Sequence, residues 1–155
     1  MAHEEILIQT PYFLPPEGLL MSLCSAAIRG VQVSIMIPER GDSYLTQRAS
    51  DSYLTQLLQA GVDVRRYRGG FLHSKLMVVD RRIVGVGSAN MDFRSLEINL
   101  EVMSFVYDRR IAEELCKTFE LDLQSCSQLT LAEWDKRPLW IRSWEAVARL
   151  FSPLL

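Results

Sequence analysis

Hydrophobic positions come in short runs early in the chain, separated by longer stretches in which they recur at helical spacing. Residues 6–10, opened by the apolar Ile6-Leu7-Ile8, predict a short strand leading into Pro11-Tyr12-Phe13-Leu14-Pro15-Pro16. A helix is expected from Pro16, where proline suits a first turn, to the stop at Gly30. Residues 31–37 alternate β-branched and polar side chains and end at Pro38, which predicts a second strand. Residues 43–60 are helical in pattern with Gly61 as the stop, and residues 62–67 read as a strand before a Gly69-Gly70 turn. Residues 71–79 and 83–87 flank Asp80-Arg81-Arg82 as a hairpin. A further strand is expected over 99–107 and a helix over 109–123. Strands alternating with helices argue for an α/β fold, with a central mixed β-sheet flanked by helices on both faces.

The last segment, residues 138–155, sets Trp140, Trp144, Val147, Ala148 and Phe151 on one stripe and Arg142, Glu145 and Arg149 on the other. That is an amphipathic helix, expected either to pack on its own domain or to lie in a membrane interface. The chain divides accordingly into residues 1–127 and a tail, 128–155. Asp42-Ser43-Tyr44-Leu45-Thr46-Gln47 recurs letter for letter from Asp51 to Gln56. An offset of nine residues is two and a half helical turns, so the copies face opposite sides and form no common surface.

At 155 residues and 48% hydrophobic content the chain is one domain's worth of packed globule. Its net charge of −2 provides no general drive toward nucleic acid. Arg65, Arg66, Arg68, Arg81 and Arg82 cluster near the hairpin and read first as a solvated face. Cys24, Cys116 and Cys126 are odd in number and lack metal-ligand spacing, which fits free thiols in a reducing compartment. No apolar run reaches the ~18 residues of a spanning helix, so the chain as it stands reads as soluble or peripheral.

Three pairs at i, i+2 carry candidate chemistry: His73/Lys75, Ser88/Asn90 and Asn99/Glu101. Alternation along a strand would turn each pair to one face. Phosphoryl transfer through a covalent intermediate needs a nucleophile, groups for the non-reacting phosphate oxygens, an orienter and an acid for the leaving alcohol. His73 can attack, Glu101 can hold the other ring N–H, and Lys75, Asn90 and Ser88 can grip phosphate oxygens. Asp80 stands seven positions from His73, an odd offset that turns it away from the chemistry. No metal or other cofactor is expected, since carboxylates and histidines lack clustered ligand spacing.

His73-x-Lys75-x4-Asp80 resembles the HxKxxxxD signature of the phospholipase D superfamily. Gly87-Ser88-Ala89-Asn90-Met91-Asp92-Phe93-Arg94-Ser95 is similar to its GSANxDxRS block, and Asn99-Leu100-Glu101 to its NxE element. Within that superfamily the chain resembles the C-terminal half of bacterial cardiolipin synthases. The resemblance is carried by Thr10-Pro11-Tyr12-Phe13-Leu14-Pro15, Arg29-Gly30-Val31-Gln32-Val33, Gly69-Gly70-Phe71-Leu72-His73, Arg137-Pro138-Leu139-Trp140 and the ending Ser152-Pro153-Leu154-Leu155. It implies a phospholipase D-like half fold and phosphatidyl transfer between two phosphatidylglycerol molecules, through a phosphohistidine, giving cardiolipin and glycerol. Lys75 and Asn90 would bind phosphate, Ser88 would support it, Glu101 would position a histidine ring, and Asp80 would be structural.

Such enzymes use two histidines from two half-sites. This chain holds one motif, and His3 lacks a lysine two positions on, so it reads as incidental. The chain is therefore expected to be a half-site inactive alone, its partner being a missing N-terminal half or a second copy. His73 is expected to be the general acid. The resemblance implies a bacterial inner-membrane surface and phospholipid partners, with nucleic acid disfavoured. Selectivity for the acceptor alcohol would lie around Tyr12, Phe13 and the Asp42-Ser43 loop. The competing readings are a phospholipase or nuclease using water in place of the alcohol, and a non-catalytic dimerisation or membrane-docking module.

Overall fold

The computed structural model describes residues 2–154. Along the chain run β1 (Glu5–Gln9), β2 (Phe13–Leu14), α1 (Glu17–Ile28), β3 (Gln32–Pro38), α2 (Tyr44–Gln59), β4 (Asp63–Tyr67), β5 (Leu76–Val79) and β6 (Ile83–Gly87). There follow β7 (Met91–Asp92), α3 (Phe93–Glu97), β8 (Met103–Val106), α4 (Arg109–Leu123), β9 (Cys126–Leu129), α5 (Leu131–Trp134) and α6 (Leu139–Arg149). A final 3-10 turn covers Ser152–Leu154, and Leu155 of the expected ending lies outside the described residues.

The central sheet has seven strands in the order β8-β6-β5-β1-β3-β4-β9. β1, β3 and β4 run parallel, and β5, β6, β8 and β9 each join their neighbour antiparallel. Strand alternation sorts the core into two layers. Ile6, Ile8, Val33 and Ile35 pack with Leu20, Leu23, Ala26, Leu54 and Leu57 of α1 and α2. Leu7, Met36, Val78 and Val84 pack on the other face with Ala112, Cys116 and Phe119 of α4. Helices therefore cover both faces, as the period-2 and period-3.6 patterns predict. The small strands β2 and β7 pair in parallel outside this sheet. β9, which pairs with β4, spans the division expected after residue 127.

Three expectations are corrected. The strand expected from residue 71 begins only at Leu76, so His73 and Lys75 lie in the loop before it. Its neighbour β1 runs out of ladder there: Gln9 pairs with Leu76, while the Thr10 N–H turns to the Met36 carbonyl (3.2 Å). The strand expected over 99–107 shortens to Met103–Val106 for the same reason, β6 ending at Gly87 opposite Met103. The arginine cluster is a solvated face only in part: Arg68, Arg81 and Arg82 are exposed, but Arg66 is not. Arg65 pairs with Asp63, Arg68 with Glu39, Arg81 with Glu5 and Glu120, and Arg66 is buried against Asp51.

The tail also differs from its helical-wheel reading. Ala148 is buried, but Trp140, Trp144, Val147 and Phe151 point outward. Glu145, from the polar stripe, turns inward and accepts from Arg137 (2.5 Å). Ion pairing overrides the hydrophobic stripe, because Arg137 and Arg48 on the inner side need a counter-charge.

Asp80 sits at the far end of β5 from His73. Asp80 and Arg81 both take positive φ (51° and 50°), and the Arg82 N–H closes the turn on the Val79 carbonyl. Its carboxylate accepts from the backbone N–H groups of His3, Glu4 and Glu5 at 2.8–3.1 Å. Burial opposes the charge, but the three donors outweigh it and hold the carboxyl below the usual aspartate range. A depressed folded value means this contribution is present above the unfolded pKa and is lost as pH falls through the folded one. Asp80→Ala should cost about 1–2 kcal/mol in urea unfolding at neutral pH, a difference that narrows in acid. An unchanged midpoint would show that water serves those N–H groups equally well.

Candidate active site

The site lies at the C-terminal ends of the parallel strands β1, β3 and β4, the end at which open α/β sheets present loops to ligands. The antiparallel additions bring three sequence blocks to that same edge. The Gly87 N–H donates to the Lys75 carbonyl (3.3 Å), and the Ser88 N–H to the Val102 carbonyl (2.9 Å). The start of β5, the end of β6 and the start of β8 are thereby set side by side, which is why residues 73–75, 88–90 and 99–101 meet. Gly87 has no room for a side chain. A Cβ there would stand 2.0 Å from the Val102 carbonyl oxygen, so glycine permits the close crossing.

His73 and Lys75 line one cleft of about 650 Å³, with Gln9, Tyr67, Thr118 and Asp122 around it. The exposed His73 ring stacks on Phe71, with centroids 5.5 Å apart. Lys75 Nζ donates to the His73 carbonyl (3.1 Å), which ties the two together. Burial pushes the Lys75 ammonium down, and the nearby charges of Glu101 and Asp92 oppose that shift. The loop is braced from below by Gln9, a residue the motif pattern does not single out. Gln9 accepts from Ser74 Oγ (3.0 Å) and donates to Asp122 (2.8 Å). Its signal in the sequence is a glutamine closing the otherwise apolar run Ile6-Leu7-Ile8.

Asn90 and Glu101 line a second cleft of about 370 Å³, together with Tyr12, Asp42, Ser43, Thr46, Asp92 and Arg94. Among the described residues Asn90 Oδ1 is buried without a hydrogen-bond donor. Glu101 is held by the Ser88 hydroxyl and by Asn99 Nδ2 (3.3 Å). The Ser88 hydrogen bond is the main reason its carboxyl stays below the usual glutamate range. Among the described residues Glu101 has no hydrogen bond to His73, so the ring-holding expected of it is not formed within this chain. Ser88 is also committed, since its oxygen accepts the Val102 N–H (3.0 Å) while its hydroxyl serves Glu101.

Tyr12 donates to Asp42 (2.5 Å) at the rim of the second cleft. That hydrogen bond, with burial, pushes the phenol up to about 12. Phe13 does not join it. Its side chain is fully buried in the core, because β2 turns it inward against the layer of α1 and α2. Thr10 ties β2 to β7, its hydroxyl donating to the Tyr12 carbonyl (2.8 Å) and accepting the Met91 N–H (3.2 Å).

A mixed seven-stranded sheet with this order, carrying His73, Lys75 and Asn90 on loops at one edge, defines an α/β domain of the phospholipase D type. The fold matches Nuc from Salmonella typhimurium, a phospholipase D family member, with TM-score 0.72 and 23% identity over 83% of this chain and 84% of that one. It also matches phosphatidylserine synthase of Haemophilus influenzae, with TM-score 0.76 and 18% identity over 99% of this chain and 42% of that one. Residues 1–123 match the family described as "Cardiolipin synthase, PLD-like domain", and the chain belongs to that family. It is 47% identical over 154 residues to the major cardiolipin synthase ClsA of Bacillus subtilis, covering 99% of this chain and 32% of the relative. Cardiolipin synthase 1 of Staphylococcus epidermidis is 44% identical over 154 residues, 99% of this chain and 31% of the relative. The chain thus spans about a third of the length of these curated relatives.

Proposed function

We propose that the chain supplies one half-site of an enzyme that transfers a phosphatidyl group from one phosphatidylglycerol to another, yielding cardiolipin and glycerol. The observation that carries this reading is that the loops bearing His73, Lys75 and Asn90 open at one end of the sheet, in a chain 47% identical to a cardiolipin synthase. One histidine of the pair attacks phosphorus, and the other protonates the departing glycerol oxygen. The second phosphatidylglycerol then gives its hydroxyl proton to that ring as its oxygen attacks the phosphohistidine, releasing cardiolipin and freeing both rings. His73 takes the acid–base part in this scheme. Lys75 and the Asn90 amide N–H₂ bind the phosphate oxygens. Tyr12 and Asp42 border the space for an incoming glycerol headgroup.

The opposing half-site would pack beside β8. This strand is an open sheet edge, and Leu100, Val102, Phe105 and Tyr107 stand exposed next to Glu101 and Ser88. Apolar edges of this kind call for a cover. A second half there would also bring a second histidine toward Glu101.

Phosphatidylglycerol vesicles incubated with the assembled two-site enzyme should yield cardiolipin and glycerol. Phosphatidate and glycerol instead would place the protein among the hydrolases, and no product at all would support a docking module. The chain held as a proven monomer should give no turnover, and robust activity from such a monomer would overturn the half-site assignment.

A further inference from the structure

We infer, on the phosphatidyl-transfer reading, that Gln9 is a positioning residue for the reaction. Through Ser74 it fixes the loop that carries His73 and Lys75, and Asp122 of α4 sets the direction of that hold. The loop has little else to define it. Among the described residues, 69–74 make no backbone–backbone hydrogen bond. The exposed His73 ring stacks on Phe71 and makes no hydrogen bond there either. Leu72 is buried, and Ser74, between His73 and Lys75, is the polar side chain that ties the segment to the sheet.

Gln9 is 4% exposed and ends β1 on the face that Leu7 and Met36 share with α4. Its amide nitrogen donates to Asp122 (2.8 Å) and to Met36 Sδ (3.4 Å), and its oxygen accepts from Ser74 Oγ (3.0 Å). An ionised carboxylate can only accept, so Asp122 dictates which end of the amide faces it. The amide oxygen is thereby turned to the loop, and Ser74 has to donate. Hydrogen bonds to a charged partner are also the stronger kind. The end of β1, the last turn of α4 and the loop before β5 are locked together in this one polarity.

The consequence for the chemistry is geometric. A reacting group displaced by about 1 Å can lose about a hundredfold in rate. Misalignment of this kind lowers kcat rather than raising KM.

Kinetics of the assembled two-site enzyme on phosphatidylglycerol test the assignment. Gln9→Met keeps the length of the side chain and removes both polar ends, so kcat should fall about 30- to 100-fold with KM within about threefold. Ser74→Ala removes the same bond from its other end, and the double variant should lose no more than the larger single one. Asp122→Asn keeps an acceptor for the amide and should stay within about fivefold of the unsubstituted enzyme.

Gln9→Glu supplies a reading that a merely structural role would not move. Two carboxyls at this distance cannot both ionise, so in acid the introduced group keeps a proton and donates it to Asp122 as the amide does. Relative to the unsubstituted enzyme, kcat should be near normal in acid and fall as rising pH strips that proton. Cys126 of β9, beside Asp122, and Tyr67, His73 and Lys75 around the same cleft are present in both enzymes, so the ratio isolates the new carboxyl.

A measurement on the chain itself is independent of turnover. The sequence has two histidines, and His3 serves as an internal control. Gln9→Met should shift and broaden the His73 ring resonance in an NMR spectrum and leave that of His3 in place. If the unsubstituted enzyme forms no cardiolipin, the transfer reading fails and this resonance still decides the positioning. Should Gln9→Met not fold, Ser74→Ala and Gln9→Glu decide it. The inference is overturned by a Gln9→Met kcat within about twofold of the unsubstituted enzyme, by an unmoved His73 resonance, by losses that simply add in the double variant, or by a flat pH ratio for Gln9→Glu.

Discussion

Replacing His73 with alanine will lower phosphatidyl transfer by the assembled enzyme by roughly three orders of magnitude or more, measured as cardiolipin formed from phosphatidylglycerol. The size follows from the absence of a substitute. Among the described residues the other histidine is His3, whose backbone N–H is bound to Asp80 at the opposite end of β5. Lys75 donates to the His73 carbonyl and serves in the proposal as a phosphate-binding cation. The two possible roles of His73 separate on a second measurement. As general acid it leaves the covalent phosphate on the opposing histidine, so rapid quenching traps no adduct on His73 itself. A trapped adduct on His73 would reverse the assignment. Transfer that survives the substitution within tenfold would remove His73 from the chemistry altogether.

The second large effect concerns the fold. Asp51→Ala should destabilise the chain by about 3–5 kcal/mol, read as a lowered urea midpoint and a Tm reduced by about 10 °C or more. Asp51 is 4% exposed and receives Arg66 (7% exposed), Arg48 (3.4 Å) and Gln47 (3.3 Å). Removing the carboxylate leaves the Arg66 guanidinium buried with the Pro38 carbonyl (3.3 Å) as its remaining acceptor among the described residues. An uncompensated buried charge costs far more than the pair contributes when intact. Asp51→Asn should fall between, keeping an acceptor without the charge. A loss below about 1 kcal/mol would mean that water reaches Arg66 in the variant.

Asp51 also shows where a linear reading stops. It is the first letter of the second copy of the Asp42–Gln47 hexapeptide, and although Leu45 and Leu54 both pack on one core cluster, the acids and tyrosines of the two copies have different surroundings. Asp42 caps Tyr12 at a cleft rim, whereas Asp51 neutralises a buried arginine; Tyr44 is exposed, whereas Tyr53 is buried. Helical parity anticipates that the copies face apart. It cannot say which of the two meets Arg66, because that partner arrives from β4, fifteen residues later.

The same distinction runs through the site. His73, Lys75, Asn90 and Glu101 were legible because their spacing is local and their block order unusual. The period of each strand and helix was legible too, since it depends on burying one face of a local element. The strand expected from residue 71 was too long because strand length is limited by the neighbours in the sheet, and β1 ends at Gln9.

Local spacing and periodicity thus determined the α/β class and the candidate site residues; Asp80 stands away from His73 because it sits in the turn at the other end of β5, not through strand parity, since residue 73 precedes the strand. Tertiary structure decided which polar groups are already taken. Ser88 braces Glu101 rather than standing free, Phe13 belongs to the core, and Glu145 faces inward while Trp140 and Trp144 face out. The reason is common to all three. Periodicity ranks residues by hydrophobicity, but the pairing of a buried charge or hydroxyl depends on groups far away in sequence. Those pairings can outweigh the hydrophobic stripe.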